Sequence, residues 1–195
     1  MKYFSKFPLI AITDKKGNSQ AYINLLNRLS MVPSTLKNPL VFYEYNIQEG
    51  DTPEIVAHKY YGDINRFWIV LYSNNILDPQ WEWPLNYSAF NSYVEDKYDD
   101  PYATHSYEKT ITTTNLVDNS SVSNTYTISQ AEYDDLIEDS KVLNFSTGAV
   151  LYELTKNELT NYDYEVRVNE TKRNIKLLNK NYASQLEQEF ETLMG

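Results

Sequence analysis

The chain has 195 residues, with 17 Lys and Arg against 27 Asp and Glu, a formal charge of −10 and a pI near 4.7. That balance repels phosphate backbones and anionic headgroups, which speaks against nucleic-acid and membrane-surface partners. Cys is absent, so a disulfide framework, a thiolate nucleophile and thiolate zinc sites are excluded. The length accommodates one full domain or two small ones with separate cores, and 42% hydrophobic residues is a globular composition. There are 18 Tyr against 5 Gly. Tyr joins apolar area to a polar tip and is enriched at interfaces, although Tyr standing in for Leu and Phe explains the count equally well. The apolar run Phe7–Ile12 is too short and Pro-broken for a secretory signal, and no window reaches the ~20 apolar residues of a membrane span. Synthesis in a cytoplasm is the expectation.

In chain order, Phe7–Ile12 reads as a strand ending at the turn Asp14–Asn18. Tyr22, Leu25, Leu26 and Leu29 follow helical spacing, which predicts an amphipathic helix over 19–31 with Ser19 as N-cap. Residues 31–39, with two prolines, form an extended connector. The β-branched and aromatic run 41–47 is a strand. Thr52 caps a helix with Pro53 at its first position and Glu54 in its first turn. Ile55, Val56, Lys59 and Tyr60 share a face, and Gly62 supplies the left-handed end. Asp63 caps a second helix whose Phe67, Trp68, Leu71 and Tyr72 face inward, and Asn74-Asn75 closes it. Trp81 and Trp83 share parity on an extended segment and face the same way. Pro84 opens a helix carrying Leu85, Ala89, Phe90, Tyr93 and Val94.

From 99 to 129 Thr, Ser and Asn dominate, and two β-rich runs flank the turn Val117–Ser121 as a hairpin. Ser129 and Glu132 form a capping box. Residues 143–154 read as a strand pair around Thr147-Gly148. Tyr162, Tyr164, Val166 and Val168 alternate with period two, which predicts a strand over 162–168. A last helix presents Tyr182, Leu186, Phe190 and Leu193, capped by Asn179 or Asn181. The class is α+β.

Catalytic patterns are thin. His58 lies four residues after Glu54 on a helix, without an HExxH motif or a third ligand, and His105 sits in a solvated Thr/Ser/Tyr stretch. The many carboxylates are sequence neighbours or belong to turns and helix starts, where caps want them, rather than a spaced glycosidase pair. Asp134-Asp135 with Glu138-Asp139 lacks the alternating spacing of a calcium loop. No GxSxG, Walker A or GxGxxG is present. The reading is of a non-enzyme without cofactor or metal.

The order strand, Gly50-Asp51-Thr52, helix, Tyr61-Gly62-Asp63, helix, Asn74-Asn75-Ile76 resembles a LysM-type βααβ module. With Pro53-Glu54, Trp68, Asp78-Pro79, Trp83-Pro84, Lys97-Tyr98 and the run 169–178, the chain resembles the LysM-containing baseplate wedge subunit of T4-like contractile-tailed bacteriophages. The resemblance implies a LysM-like βααβ core at 41–98, an extended N-terminal arm at 1–40, and a peripheral β-rich and helical part at 99–195. It implies a virion protein of the tail baseplate, assembled in the host cytoplasm at six copies or a multiple of six. Such a subunit clamps neighbouring wedges around the hub and contacts other wedge proteins, a sheath-initiator-like subunit and hub proteins. Interface candidates are Tyr60, Trp81, Trp83, Tyr162 and Tyr164. The alternative is a module binding N-acetylglucosamine chains of peptidoglycan. Its groove is lined by Gly50, Asp51, Thr52, Asn74, Asn75 and Ile76, although turn-making and capping account for the same residues.

Overall fold

The computed structural model describes residues 3–27, 31, 38, 40–146 and 148–194. Helices mix with small antiparallel sheets, an α+β architecture. The chain forms two compact units, one from Met1–Tyr87 with Asn169–Gly195, the other from Ser88–Val168. The units thus follow spatial contacts instead of the consecutive blocks 1–40, 41–98 and 99–195.

In the first unit, β1 (Leu9–Thr13) and β2 (Ser19–Ile23) form an antiparallel hairpin, registered from Leu9↔Ile23 to Thr13↔Ser19. Its turn is fixed by Asp14, whose carboxylate accepts the Lys16 and Asn18 N–H groups at 2.7 and 2.9 Å. Gly17 takes φ 86°, a conformation that costs glycine little. The hairpin overturns the helix expected over 19–31. Tyr22, Leu25 and Leu26 do have helical spacing, but a turn closed by Asp14 and Gly17 delivers Ser19 straight into pairing with Thr13. Leu29 and most of the connector lie outside the described residues.

The core of this unit is a two-stranded antiparallel sheet of β3 (Phe42–Asn46) and β8 (Asn174–Leu178). The strand that partners β3 therefore comes from the far end of the chain, not from within 41–98. Between them in sequence come α1 (Pro53–Tyr61), a 3-10 turn (Ile64–Arg66) and α2 (Phe67–Ser73). Thr52 caps α1 as expected, accepting the Ile55 N–H at 3.3 Å, and Gly62 ends it at φ 74°. Asp63 caps the 3-10 turn ahead of α2, accepting the Asn65 N–H at 2.9 Å, and Asn75 takes φ 55° beyond α2.

Pro53, Val56 and Ala57 are the buried residues of α1, while Ile55 is exposed. On α2 the fully buried set is Trp68, Ile69 and Val70, with Phe67, Leu71 and Tyr72 half-buried. These side chains pack with Ile47, Ile175, Leu177 and Leu178 in two adjoining apolar clusters. The last helix, α7 (Lys180–Met194), adds Ala183, Phe190 and Met194. Tyr182 and Leu193 are exposed, so its buried stripe is rotated from the expected one. Asn179 is the residue that caps it, accepting the Asn181 N–H at 3.1 Å.

A short helix, α3 (Pro79–Glu82), capped by Asp78, occupies the segment expected to be extended. The parity argument fails accordingly: Trp81 is 61% exposed and Trp83 only 7%.

The second unit opens with α4 (Tyr87–Lys97), which buries Phe90 and Val94 and leaves Ala89 exposed. Strands β4 (Thr104–Asn115) and β5 (Ser121–Ile128) form the expected hairpin. Hydroxyl pairs Thr110–Thr125, Thr112–Ser123 and Thr114–Ser121 bridge it at 2.9, 2.9 and 3.1 Å. Such cross-strand pairs let a polar, β-branched segment form a ladder. Ser129 caps α5 (Gln130–Asp135), accepting the Glu132 N–H at 3.2 Å. The second hairpin, β6 (Asp139–Phe145) and β7 (Gly148–Thr160), completes an antiparallel sheet of order β5-β4-β7-β6.

Residues 162–168 belong to a helix, α6 (Asn161–Thr171), which overturns the expected strand. Thr160 and Asp163 cap each other: the Asp163 N–H donates to Thr160 Oγ1 at 3.1 Å and the Thr160 hydroxyl donates to Asp163 at 2.7 Å. The buried side chains of α6 are polar, Glu165 and Asn169, four residues apart. Hydropathy alternation among the Tyr and Val residues concealed that face.

Candidate functional site

The six groove candidates have internal work. Asp51 is buried, and its carboxylate accepts from the Tyr45 hydroxyl at 2.7 Å, the Gln48 N–H at 3.1 Å and Lys59 Nζ at 2.6 Å. Burial works to raise the Asp51 carboxyl, but the hydrogen bonds from Lys59 and Tyr45 outweigh it and hold it below the usual carboxylate range. Burial, joined by the same contact with Asp51, pushes the Tyr45 hydroxyl up to about 12. The Asp51 carbonyl accepts the Trp83 indole N–H at 2.8 Å. Gly50 makes the turn at φ 79° and Thr52 caps α1.

On the other loop, Asn74 behaves as one more residue of sheet edge. Its amide donates to the Lys176 carbonyl at 2.8 Å and its oxygen accepts the Lys176 N–H at 2.7 Å, so it satisfies both backbone groups of that residue. It also donates to the Val70 carbonyl at 2.8 Å. Asn75 and Ile76 contribute to a largely apolar cleft of ≈ 310 Å³, together with Tyr3, Phe4, Trp68 and Tyr72. Gly50, Asp51 and Thr52 do not line it. The Trp68 indole N–H is buried without an acceptor among the described residues.

The five interface candidates separate. Trp83 is interior, a correction to its expected surface role, because its indole N–H needs Asp51 and its ring fills the cluster around Val56 and Val70. Tyr60 is half-buried, stacked on Tyr43 at 6.0 Å with Lys180 Nζ 4.9 Å from its ring. Tyr162 is half-buried between Phe90 and Tyr102, and its hydroxyl donates to Asn91 at 3.2 Å. Trp81 and Tyr164 are exposed, the latter stacked on His105 at 4.0 Å. As neighbours two apart on a helix, Tyr162 and Tyr164 point to different sides.

Sequence reasoning missed Glu165. It is 4% exposed, and one of its oxygens accepts from Lys97 Nζ at 2.7 Å and the Tyr98 hydroxyl at 2.8 Å. Burial works to raise its carboxyl, but these two bonds outweigh it and lower it. Lys97-Tyr98 was visible as a motif, while its partner lay in a segment read as a strand. A second carboxylate, Glu108, is buried and accepts from Arg167 at 2.8 Å. Both contacts brace the second unit.

His58 and His105 are exposed. Among the described residues no group of three or more His, Cys, Asp or Glu is placed to hold a metal ion, and no helix is long and apolar enough to cross a membrane. What the surface does offer is apolar. Leu9, Ile12, Leu25 and Leu26 on the N-terminal segment and Trp81 beyond α2 are each more than half exposed. No protein-family model matches the chain, and no curated protein matches it.

Proposed function

We propose that this chain is a structural subunit of a contractile-tail baseplate, a wedge component that joins neighbouring proteins around a central hub through protein–protein contacts. The motifs from Gly50-Asp51-Thr52 to Trp83-Pro84 and 169–178 support the reading by resemblance. So does the order β3–α1–α2 with β8 pairing back onto β3 from far along the chain, the arrangement of two strands and two helices that a LysM module would need. The observation that carries it is the exposed apolar surface of the N-terminal hairpin and Trp81, which a partner would cover. Wedge neighbours, a sheath-initiator-like subunit and hub proteins are the partners it implies.

Peptidoglycan binding is the rival. It is weakened because Asp51 and Asn74 spend their polar atoms inside the fold. Mass spectrometry of purified contractile-tail particles tests the assignment. Copies in about six or a multiple of six, the count a six-fold baseplate closes with, support it. Absence from such particles, with pull-down on peptidoglycan instead, overturns it in favour of the rival.

A further inference from the structure

We propose that the β1–β2 hairpin of one copy adds to the free edge of β6 in a second copy, a head-to-tail contact between identical chains. The inference does not require the baseplate reading, although it draws on the same exposed hairpin. It begins with the hairpin, all ten of whose strand residues are exposed. Cross-strand register sets Leu9, Ala11, Ala21 and Ile23 on one face and Ile10, Ile12 and Tyr22 on the other. Thr13 and Ser19 join the first face and Gln20 the second, so both faces are mostly apolar, and a two-stranded hairpin alone is marginal in water. It calls for a sheet to join.

β6 ends the order β5-β4-β7-β6, and all seven of its residues are exposed. Among the described residues no strand pairs with its outer edge, which leaves a row of unpaired backbone groups. Its base, Lys141, is already paired with Asp139 at 3.1 Å. The opposite edge strand, β5, carries no charge in its sequence.

Charge selects between the edges. Residues 88–168 contain 15 Asp and Glu against 5 Lys and Arg, and so hold the entire −10, while the rest of the chain has twelve of each. Residues 2–28 carry five Lys and Arg against Asp14 alone, and Asp14 is occupied within its own turn. Lys15 and Lys16 at the hairpin tip make no ion pair among the described residues, nor do Asp134 and Asp135 ahead of β6. All four are exposed.

Direction completes the match. β1 runs toward the Lys tip, and β6 runs from its acidic start to Leu143 and Phe145. Antiparallel addition, the sense of every pair in that sheet, sets Lys15 and Lys16 beside the acidic start. The same sense sets Leu9 and Ile10 beside Leu143 and Phe145. Charge and apolar surface then coincide. Donor and acceptor surfaces differ, so the contact is heterologous and either closes a ring or extends a filament.

Sedimentation velocity of the full chain over a concentration series tests this. Self-association that weakens with salt is expected. Lys15→Glu with Lys16→Glu should weaken it about tenfold, the effect of two exposed charge pairs. Asp134→Lys with Asp135→Lys should do the same, and all four changes in one chain should restore it. The substitutions lie at exposed positions, in the β1–β2 turn and at the end of α5, and an unchanged thermal melt verifies folding. Carbodiimide cross-linking of the unmodified chain, in a mixture of isotopically light and heavy copies, should join Lys15 or Lys16 of one to Asp134, Asp135 or Glu138 of the other. A monomer at every concentration, cross-links confined to one isotope, or association indifferent to both charge reversals would each overturn the proposal.

Discussion

Asp51 concentrates much of the chemistry that orders the first unit, because its side chain and its carbonyl together hold Tyr45, Gln48, Lys59 and Trp83. Asp51→Asn should destabilise the fold by about 2 kcal/mol, since it removes a buried charge that holds three hydrogen bonds. Chemical denaturation at neutral pH measures this. The pH dependence follows from the sign of the shift. The folded carboxyl of Asp51 titrates below its unfolded value, as does that of Glu165. Their stabilisation is therefore complete above pH ~4.5 and is lost as pH falls through the folded values. A stability–pH profile should show an acid limb that Asp51→Asn makes shallower. The tryptophans offer a second comparison. Trp83→Phe leaves the Asp51 carbonyl without its partner, while Trp68→Phe deletes an N–H that has no acceptor among the described residues. Both remove similar volume, so Trp83→Phe should cost more, by about 1 kcal/mol. Equal losses would contradict that account. Much of this was legible: Thr52, Gly62 and Asn75 act as their residue types suggested. Glu165 was not, because a buried carboxylate is recognisable only once its Lys and Tyr partners are known.

At the level of elements, the sequence was informative where local chemistry decides. The caps at Thr52 and Ser129 and the turns of both long hairpins lie where turn and cap residues put them. It misled where two periods fit one segment. Tyr22, Leu25 and Leu26 suit a helix, yet the turn geometry of Asp14 and Gly17 prevails. Over 162–168 the Tyr and Val residues alternate, yet the Thr160–Asp163 cap and buried polar face make a helix. β8 was unreadable, since its partner lies more than a hundred residues upstream. The turn between β6 and β7 gives a sharp test. Gly148 has φ 140°, and a Cβ there would approach Val117 Cγ2 to 2.7 Å. Gly148→Ala should cost about 1–3 kcal/mol, with amide exchange accelerated in β6 and β7 of the second unit.

Over the whole molecule charge is partitioned: residues 88–168 hold the full −10 and the remainder is balanced. Self-repulsion in the second unit should be screened by salt, over a Debye length of ~10 Å at 0.1 M. Hydrogen exchange should therefore show β4 and β7 gaining protection as salt rises while β3 and β8 change little. The pairing of β3 with β8 has a temporal consequence as well. On a ribosome, residues 88–168 emerge as one continuous stretch and can order as soon as they are out, whereas β3 must wait for 174–178. Throughout that interval the apolar faces of α1 and α2 lack their closing strand, a long loop closure that slows folding. Nascent chains of increasing length should acquire protease resistance in the middle before the N-terminal half, and the waiting N-terminal half is where a chaperone would bind during synthesis.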